Sequence, residues 1–140
     1  MLPVSEHARE ALRLANGEAH GLHHSYIGTE HILLGLLRAP DGAAASALSS
    51  FDVTYDQVRA SVVRMMGVGV GEVMDELPFT GAANEAIDRA SREASVLGAE
   101  EIGTEHILLA LTREPNGAAA RILRQLDAEP AAVRAAVSGD

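Results

Sequence analysis

Lysine and cysteine are both missing from these 140 residues, and each absence closes off a class of chemistry. Without cysteine there is no disulfide, no thiol nucleophile and no thiolate metal site. Without lysine there is no phosphate-loop lysine and no Schiff-base amine; all eleven basic residues are arginine. Tryptophan is absent too. Aromatic residues make up 3% of the chain against 47% hydrophobic, so the core must be built from Ala, Leu, Ile and Val, a mixture that favours close-packed helices. No apolar run reaches membrane-spanning length, and the first residues lack the basic flank and apolar stretch of a signal peptide. A cytoplasmic monomer is the expectation. The net charge of −9 is spread as −2 over residues 1–66, −3 over 67–79 and −4 over 80–140, with no long basic run. Nucleic acid and anionic membranes are therefore poor partners.

What the chain does have, it has twice. Gly28-Thr29-Glu30-His31-Ile32-Leu33-Leu34 returns 75 positions later as Gly103-Thr104-Glu105-His106-Ile107-Leu108-Leu109. The same offset carries Glu10, Ala11 and Ala15 onto Glu85, Ala86 and Ala90, and Asp52, Val58 and Val62 onto Asp127, Val133 and Val137. A register kept without a gap over roughly fifty positions marks a tandem duplication. A half of about 65 residues has a marginal core, so the two halves are expected to pack as one globule, divided as repeat one (1–66), linker (67–79) and repeat two (80–140).

Helical periodicity starts at Ser5, a fitting N-cap, with Ala8, Ala11, Leu12, Ala15 and Ala19 on one stripe. Thr29 is placed as the cap of a second helix that ends at the Pro40-Asp41-Gly42 turn. An Ala-rich third helix follows, and Thr54-x-x-Gln57 has the form of a capping box that opens a fourth, ending near Met66. Gly67 to Pro78 reads as a flexible, glycine-rich connector whose glycines do not make a dinucleotide-binding fingerprint. Thr80 caps helix five, and Pro130 stands in the first turn of helix eight. The expected class is all-α: eight helices in two sets of four.

Thr29-Glu30-His31 and Thr104-Glu105-His106 stand at helix starts. There a carboxylate complements the helix dipole and a histidine caps or packs, and that structural role needs no ligand. His20, His23 and His24 form H-x-x-H-H, a spacing that can bind zinc. No acid or further histidine matches it, and the second repeat keeps none of the three, so no metal or other cofactor is assigned. No nucleophile elbow or paired acids single out a catalytic residue, and an enzyme is not expected. Leu2, Val4, Leu77 and Phe79 precede the first helix of each half, Val4 corresponding to Phe79. They either line one shallow apolar patch at the seam or act as ordinary hydrophobic staples.

Ile27-Gly28-Thr29-Glu30-His31-Ile32-Leu33-Leu34-Gly35-Leu36, after a short polar turn and doubled at its spacing, resembles the repeat of the Clp N-terminal domain that heads ClpC- and ClpA-type AAA+ unfoldases. The similarity runs from about Ser5 to Val137. It implies an all-α, pseudo-two-fold domain that performs no chemistry. Such a domain receives substrates, adaptors or small cyclic-peptide ligands for a protease-coupled unfoldase; the alternative for this chain is a stand-alone decoy that sequesters adaptors or toxic cyclic-peptide ligands away from the unfoldase. It also implies that Glu30 and Glu105 recognise phosphorylated arginine. A helix start attracts phosphate and a carboxylate takes a guanidinium in bidentate fashion, so the motif suits both ends of that side chain. The halves differ: Tyr26 keeps the family's aromatic where repeat two has Glu101, and His23-His24 stand where repeat two has Gly98-Ala99. By sequence, repeat one thus matches the family's site more fully than repeat two. The ATPase modules are not within these residues, since no Walker A motif can lack its lysine.

Overall fold

The computed structural model describes residues 1–39, 41–114 and 117–138. Among the described residues eight helices follow one another: α1 (Glu6–Gly21), α2 (Thr29–Arg38), α3 (Ala43–Ser50), α4 (Tyr55–Met66), α5 (Gly81–Val96), α6 (Thr104–Thr112), α7 (Ala118–Gln125) and α8 (Pro130–Ser138). The fold is all-α, two four-helix repeats packed as one pseudo-two-fold domain.

Local chemistry sets the helix ends. Ser5 accepts from the Ala8 N–H at 3.1 Å and Thr80 from that of Ala83 at 3.0 Å. Thr54 and Gln57 close a reciprocal capping box at 3.2 and 3.1 Å. α1 and α5 both end on a left-handed residue, His23 (φ 57°) and Gly98 (φ 76°), with the next N–H returning to Ala19 or Ala94 at 2.9 Å. Asp52 and Asp127 close α3 and α7 in the same conformation, at φ 59° and 62°. Glycine adopts it freely and Asp tolerates it; a histidine at 23 pays a conformational cost that its side chain repays below.

α2 and α6 form the centre. From Thr29 to Leu36 and from His106 to Thr112 every residue is buried, the signature of a helix enclosed on all sides. Against α2 lies the alanine stripe of α1, with Ala8, Ala11, Ala15 and Ala19 fully buried. The approach is close enough that a Cβ on Gly35 would fall 2.2 Å from the Ala11 carbonyl oxygen. Repeat two has Ala110 at that position, so α5 and α6 leave room for a methyl group. An ion pair braces each half from the same place: Arg38 with Glu18 at 2.8 Å, and Arg113 with Glu93. In repeat one Tyr55 also donates to Glu18, at 2.5 Å.

Thr29 was expected to cap α2, and the structure corrects this. The N-cap is Gly28, which has no side chain, and Thr29 is the first residue inside the helix. Its hydroxyl instead accepts from the Ala119 N–H of α7 at 3.3 Å, while Thr104 accepts from the Ala44 N–H of α3 at 3.2 Å. α3 and α7 both begin on glycines, Gly42 and Gly117, that bring no cap of their own. Each therefore takes its capping oxygen from the opposite repeat.

The lead-in segments are exchanged in the same way. Val4 pairs with Ile102 and Phe79 with Ile27. Ser5 donates to the Ile102 carbonyl and Thr80 to that of Ile27, at 2.9 and 3.0 Å.

The tight α1–α2 contact generates an asymmetric prediction. Gly35→Ala should destabilise by about 1–3 kcal/mol, because the methyl group meets backbone and not a yielding side chain. Ala110→Gly should cost only about 0.5–1 kcal/mol of helix propensity. Urea denaturation of both variants checks this; a neutral or stabilising Gly35→Ala would mean the helices separate freely.

Candidate ligand-binding site

The spacing of the doubled motif has a physical reason in each residue. His31 Nδ1 accepts from the Gly28 N–H at 2.9 Å, and His106 Nδ1 accepts from Gly103 at 2.8 Å. The ring thus performs the part that Glu or Gln plays three residues into a capping box. The glutamate folds back over the glycine. A Cβ on Gly28 would lie 2.2 Å from Glu30 Oε1, and one on Gly103 would lie 1.9 Å from Glu105 Oε1. The glycine is therefore the space that the carboxylate occupies.

From this common frame the two repeats diverge. In repeat one, Tyr26 stacks on His24 with centroids 5.5 Å apart and planes within 3°, and meets His31 edge-on at 5.3 Å. Its hydroxyl lies 3.5 Å from Glu30 Oε2. Glu30 is left only 4% exposed. Burial pushes its carboxyl above the usual range, opposed by its own backbone N–H, by His24 and by Tyr26. The Tyr26 hydroxyl is raised for the same leading reason and further by Glu30.

The histidines behind that wall form a relay with only one consistent set of protons. His31 Nδ1 is occupied as an acceptor, so Nε2 carries the hydrogen and donates to His24 Nδ1 at 2.8 Å. His24 Nε2 then donates to the Gly67 carbonyl at 2.8 Å. In this pattern the His31 ring is neutral. Burial first, and His24 second, lower His31 from 6.5 to about 4.

The H-x-x-H-H cluster proves to be a clamp on the connector. His20 Nε2 reaches the Asp75 carbonyl at 2.8 Å, His23 Nδ1 that of Gly71 at 3.0 Å, and His24 that of Gly67. This is what the strained His23 backbone provides. Among the described residues no group of three or more His, Asp or Glu side chains is placed to hold a metal ion. The connector was read as flexible because it is glycine-rich; the structure ties it at four residues, Gly67, Gly71 and Asp75 through these histidines and Gly69 through its N–H to Leu22 O at 2.8 Å.

Repeat two has no such wall. Ala99 and Glu101 replace His24 and Tyr26, Glu105 is half-buried, and His106 Nε2 has no hydrogen-bond partner among the described residues. The motif opens onto a cleft of about 470 Å³ lined by Asp41, Gly42, Ala43, Glu101, Glu105 and His106. Two helix starts from opposite repeats, α3 and α6, thus meet at one opening. Thr104 occupies the Ala44 N–H, while those of Ala43 and Ala45 have no partner among the described residues. The contribution of α3 is invisible in sequence, because Gly42 and Ala43 carry no functional group.

Of the apolar candidates, Leu77 is buried at 8% exposure, while Leu2, Val4 and Phe79 are half-buried and pack on the core. Val4 and Phe79 stand at two pseudo-equivalent positions, beside Ile102 and Ile27 respectively.

The relay predicts acid sensitivity. His31 is held neutral in the fold but titrates normally once unfolded. Its contribution is complete above pH 6.5 and is lost as pH falls from there towards about 4. Glu30, with its raised pKa, acts in the opposite sense by taking up a proton in the fold. His31→Gln keeps a capping acceptor but cannot titrate, so its stability should fall less than that of the wild type across this window. Denaturation at several pH values checks this; equal losses in both proteins would remove His31 as the cause.

Comparison with known proteins agrees with this frame. The family described as the Clp repeat N-terminal domain matches residues 3–126. The chain is 41% identical over 133 residues to the chloroplastic chaperone protein ClpC of Pisum sativum and, at the same identity and length, to chloroplastic ClpC1 of Arabidopsis thaliana. Each match covers 95% of this chain but only 14% of the relative. Among solved structures, the N-terminal domain of the chaperone ClpD from Arabidopsis thaliana superposes with a TM-score of 0.77 at 26% identity, covering 96% of this chain and 94% of that one. A ClpV N-domain in complex with a VipB peptide shares the fold, with a TM-score of 0.74 at 20% identity over 97% of this chain and 87% of that one. With its doubled Gly-Thr-Glu-His motif, its eight helices and a family match spanning most of its length, the chain belongs to the Clp repeat N-terminal domain family.

Proposed function

We propose that this domain is a non-catalytic receptor for protein or peptide ligands of a Clp unfoldase, and that its principal site is the cleft at Glu105. The observation that carries this reading is the convergence of an accessible carboxylate with two helix starts in one opening. A guanidinium fits Glu105 in bidentate fashion, and a phosphate fits the free Ala43 and Ala45 N–H groups at the start of α3. A phosphoarginine side chain presents both. Glu30, shielded by Tyr26, takes the lesser role, and Thr29 and Thr104 hold helices in place. Peptide capture by the ClpV N-domain supports the wider reading that the fold serves as a docking platform for substrates or adaptors.

A second reading has its own observation. Asp41, Glu100, Glu101 and Glu105 all line the cleft, so unmodified arginine in a basic peptide would also be attracted there. Leu2, Val4 and Phe79 stay proposed as contacts for apolar or cyclic-peptide ligands. Adaptor and decoy are separated by adding the protein in trans to a Clp degradation assay, where an adaptor speeds turnover and a decoy slows it.

Calorimetry with matched peptides tests the site. A phosphoarginine peptide should bind more tightly than its arginine and phosphoserine counterparts. Glu105→Ala should weaken it about 10–100-fold, the range of a charge-assisted pair worth roughly 1.5–3 kcal/mol. Glu30→Ala should leave affinity within a few-fold. Equal binding of arginine and phosphoarginine would favour the basic-peptide reading, and equal losses in both variants would contradict the assignment to repeat two.

A further inference from the structure

The clamped connector presents an unused edge. Gly67 O, Gly69 N–H and Gly71 O all turn inward, to His24, Leu22 and His23. Gly69 lies so close that a Cβ there would fall 1.9 Å from the His23 carbonyl oxygen. Between these inward residues the chain faces out: Val68 is 54% and Val70 95% exposed, while Gly67 and Gly69 are half-buried. That two-residue alternation is the period of extended chain. The N–H and C=O groups of Val68 and Val70 have no partner among the described residues. Held on one side and bare on the other, residues 68–70 offer an unpaired backbone edge between the positive-φ glycines Gly67 and Gly71, a template for another strand.

We propose that residues 67–71 dock an extended apolar polypeptide segment flanked by basic residues, adding it as a strand along the Val68–Val70 edge. Main-chain hydrogen bonds would supply affinity, and the two valines would select alternating apolar side chains. Charge identifies the occupant. Glu72, Asp75 and Glu76 follow directly and are exposed, and no basic residue lies between Arg64 and Arg89. A second copy of the same segment would set these acids against their like, in a chain of net charge −9. A strand with arginine or lysine at its ends meets them with opposite charge. The surface is separate from the Glu105 cleft and does not depend on that assignment.

The test uses the whole domain and a fluorescent heptapeptide of alternating Val and Thr between terminal arginines. Fluorescence anisotropy should show saturable binding that weakens with salt. Methylating the backbone nitrogens of one alternate set of peptide residues should weaken binding at least tenfold, while methylating the other set leaves it within twofold, because a strand pairs through one edge only. The exposed double substitution Val68→Asp with Val70→Asp should also lose at least tenfold, with its phosphoarginine affinity unchanged. No saturable binding by the wild type, equal tolerance of both methylated sets, or full binding by the double variant would each overturn the proposal. So would concentration-dependent dimerisation of the domain through this edge in place of peptide capture.

Discussion

Two threonine hydroxyls set the terms for the rest of the structure. α3 and α7 start on glycines, and in each case the missing capping oxygen comes from the first residue of the opposite repeat's central helix. A helix start has N–H groups that must find partners, and here the partner lies 60 or 90 residues away in the other repeat. The exchanged pairings of Val4 with Ile102 and Phe79 with Ile27 repeat the arrangement at the lead-in segments. Neither four-helix unit is finished alone. The same exchange builds the cleft, since a threonine that caps the other repeat's helix places that helix start beside its own glutamate.

Duplication supplied two copies of one frame, and a few substitutions sent them different ways. His24 and Tyr26 turned the first copy inward: the rings wall in Glu30, and the histidines spend their hydrogen-bonding capacity on Gly67 and the connector. Ala99 and Glu101 left the second copy open. The cost in repeat one is a buried carboxyl whose charged form is disfavoured and a histidine forced into left-handed backbone. The gain is a connector tied back through the Gly67 and Gly71 carbonyls, with Gly69 pressed against His23 and its valines exposed. Repeat one thus contributes rigidity, and repeat two contributes access.

Much of this was legible in the sequence. Periodicity and turn chemistry located the helices, and Ser5, Thr54 with Gln57, Thr80 and Pro130 stand where local rules put them. The 75-residue offset gave the symmetry. The partner of Thr29 was not legible, because a threonine at a helix start looks like that helix's own cap and nothing local points to Ala119. The role of His20, His23 and His24 was hidden similarly: histidine spacing suggests metal chemistry, whereas their partners are backbone carbonyls, which any sequence would offer. The contacts of the connector were not legible either, because glycine permits two things, mobility and close approach, and nothing local announces that Gly69 packs against His23. The relative accessibility of Glu30 and Glu105 also ran opposite to the presence of Tyr26. An aromatic neighbour that looks like part of a binding site here covers the glutamate beside it.

The central claim is that each repeat's third helix is held by the other repeat's threonine, and amide hydrogen exchange read residue by residue tests it most directly. In the wild type the Ala44 and Ala119 amides should be protected nearly to the level of global unfolding. In Thr104→Val the account predicts that Ala44, sixty residues away in the other repeat, loses protection while Ala119 keeps its own relative to the global level. Thr29→Val should show the reverse. Unchanged protection at Ala44 in Thr104→Val, or fraying confined to the start of α6 itself, would contradict the exchange of caps and with it the composite origin of the cleft.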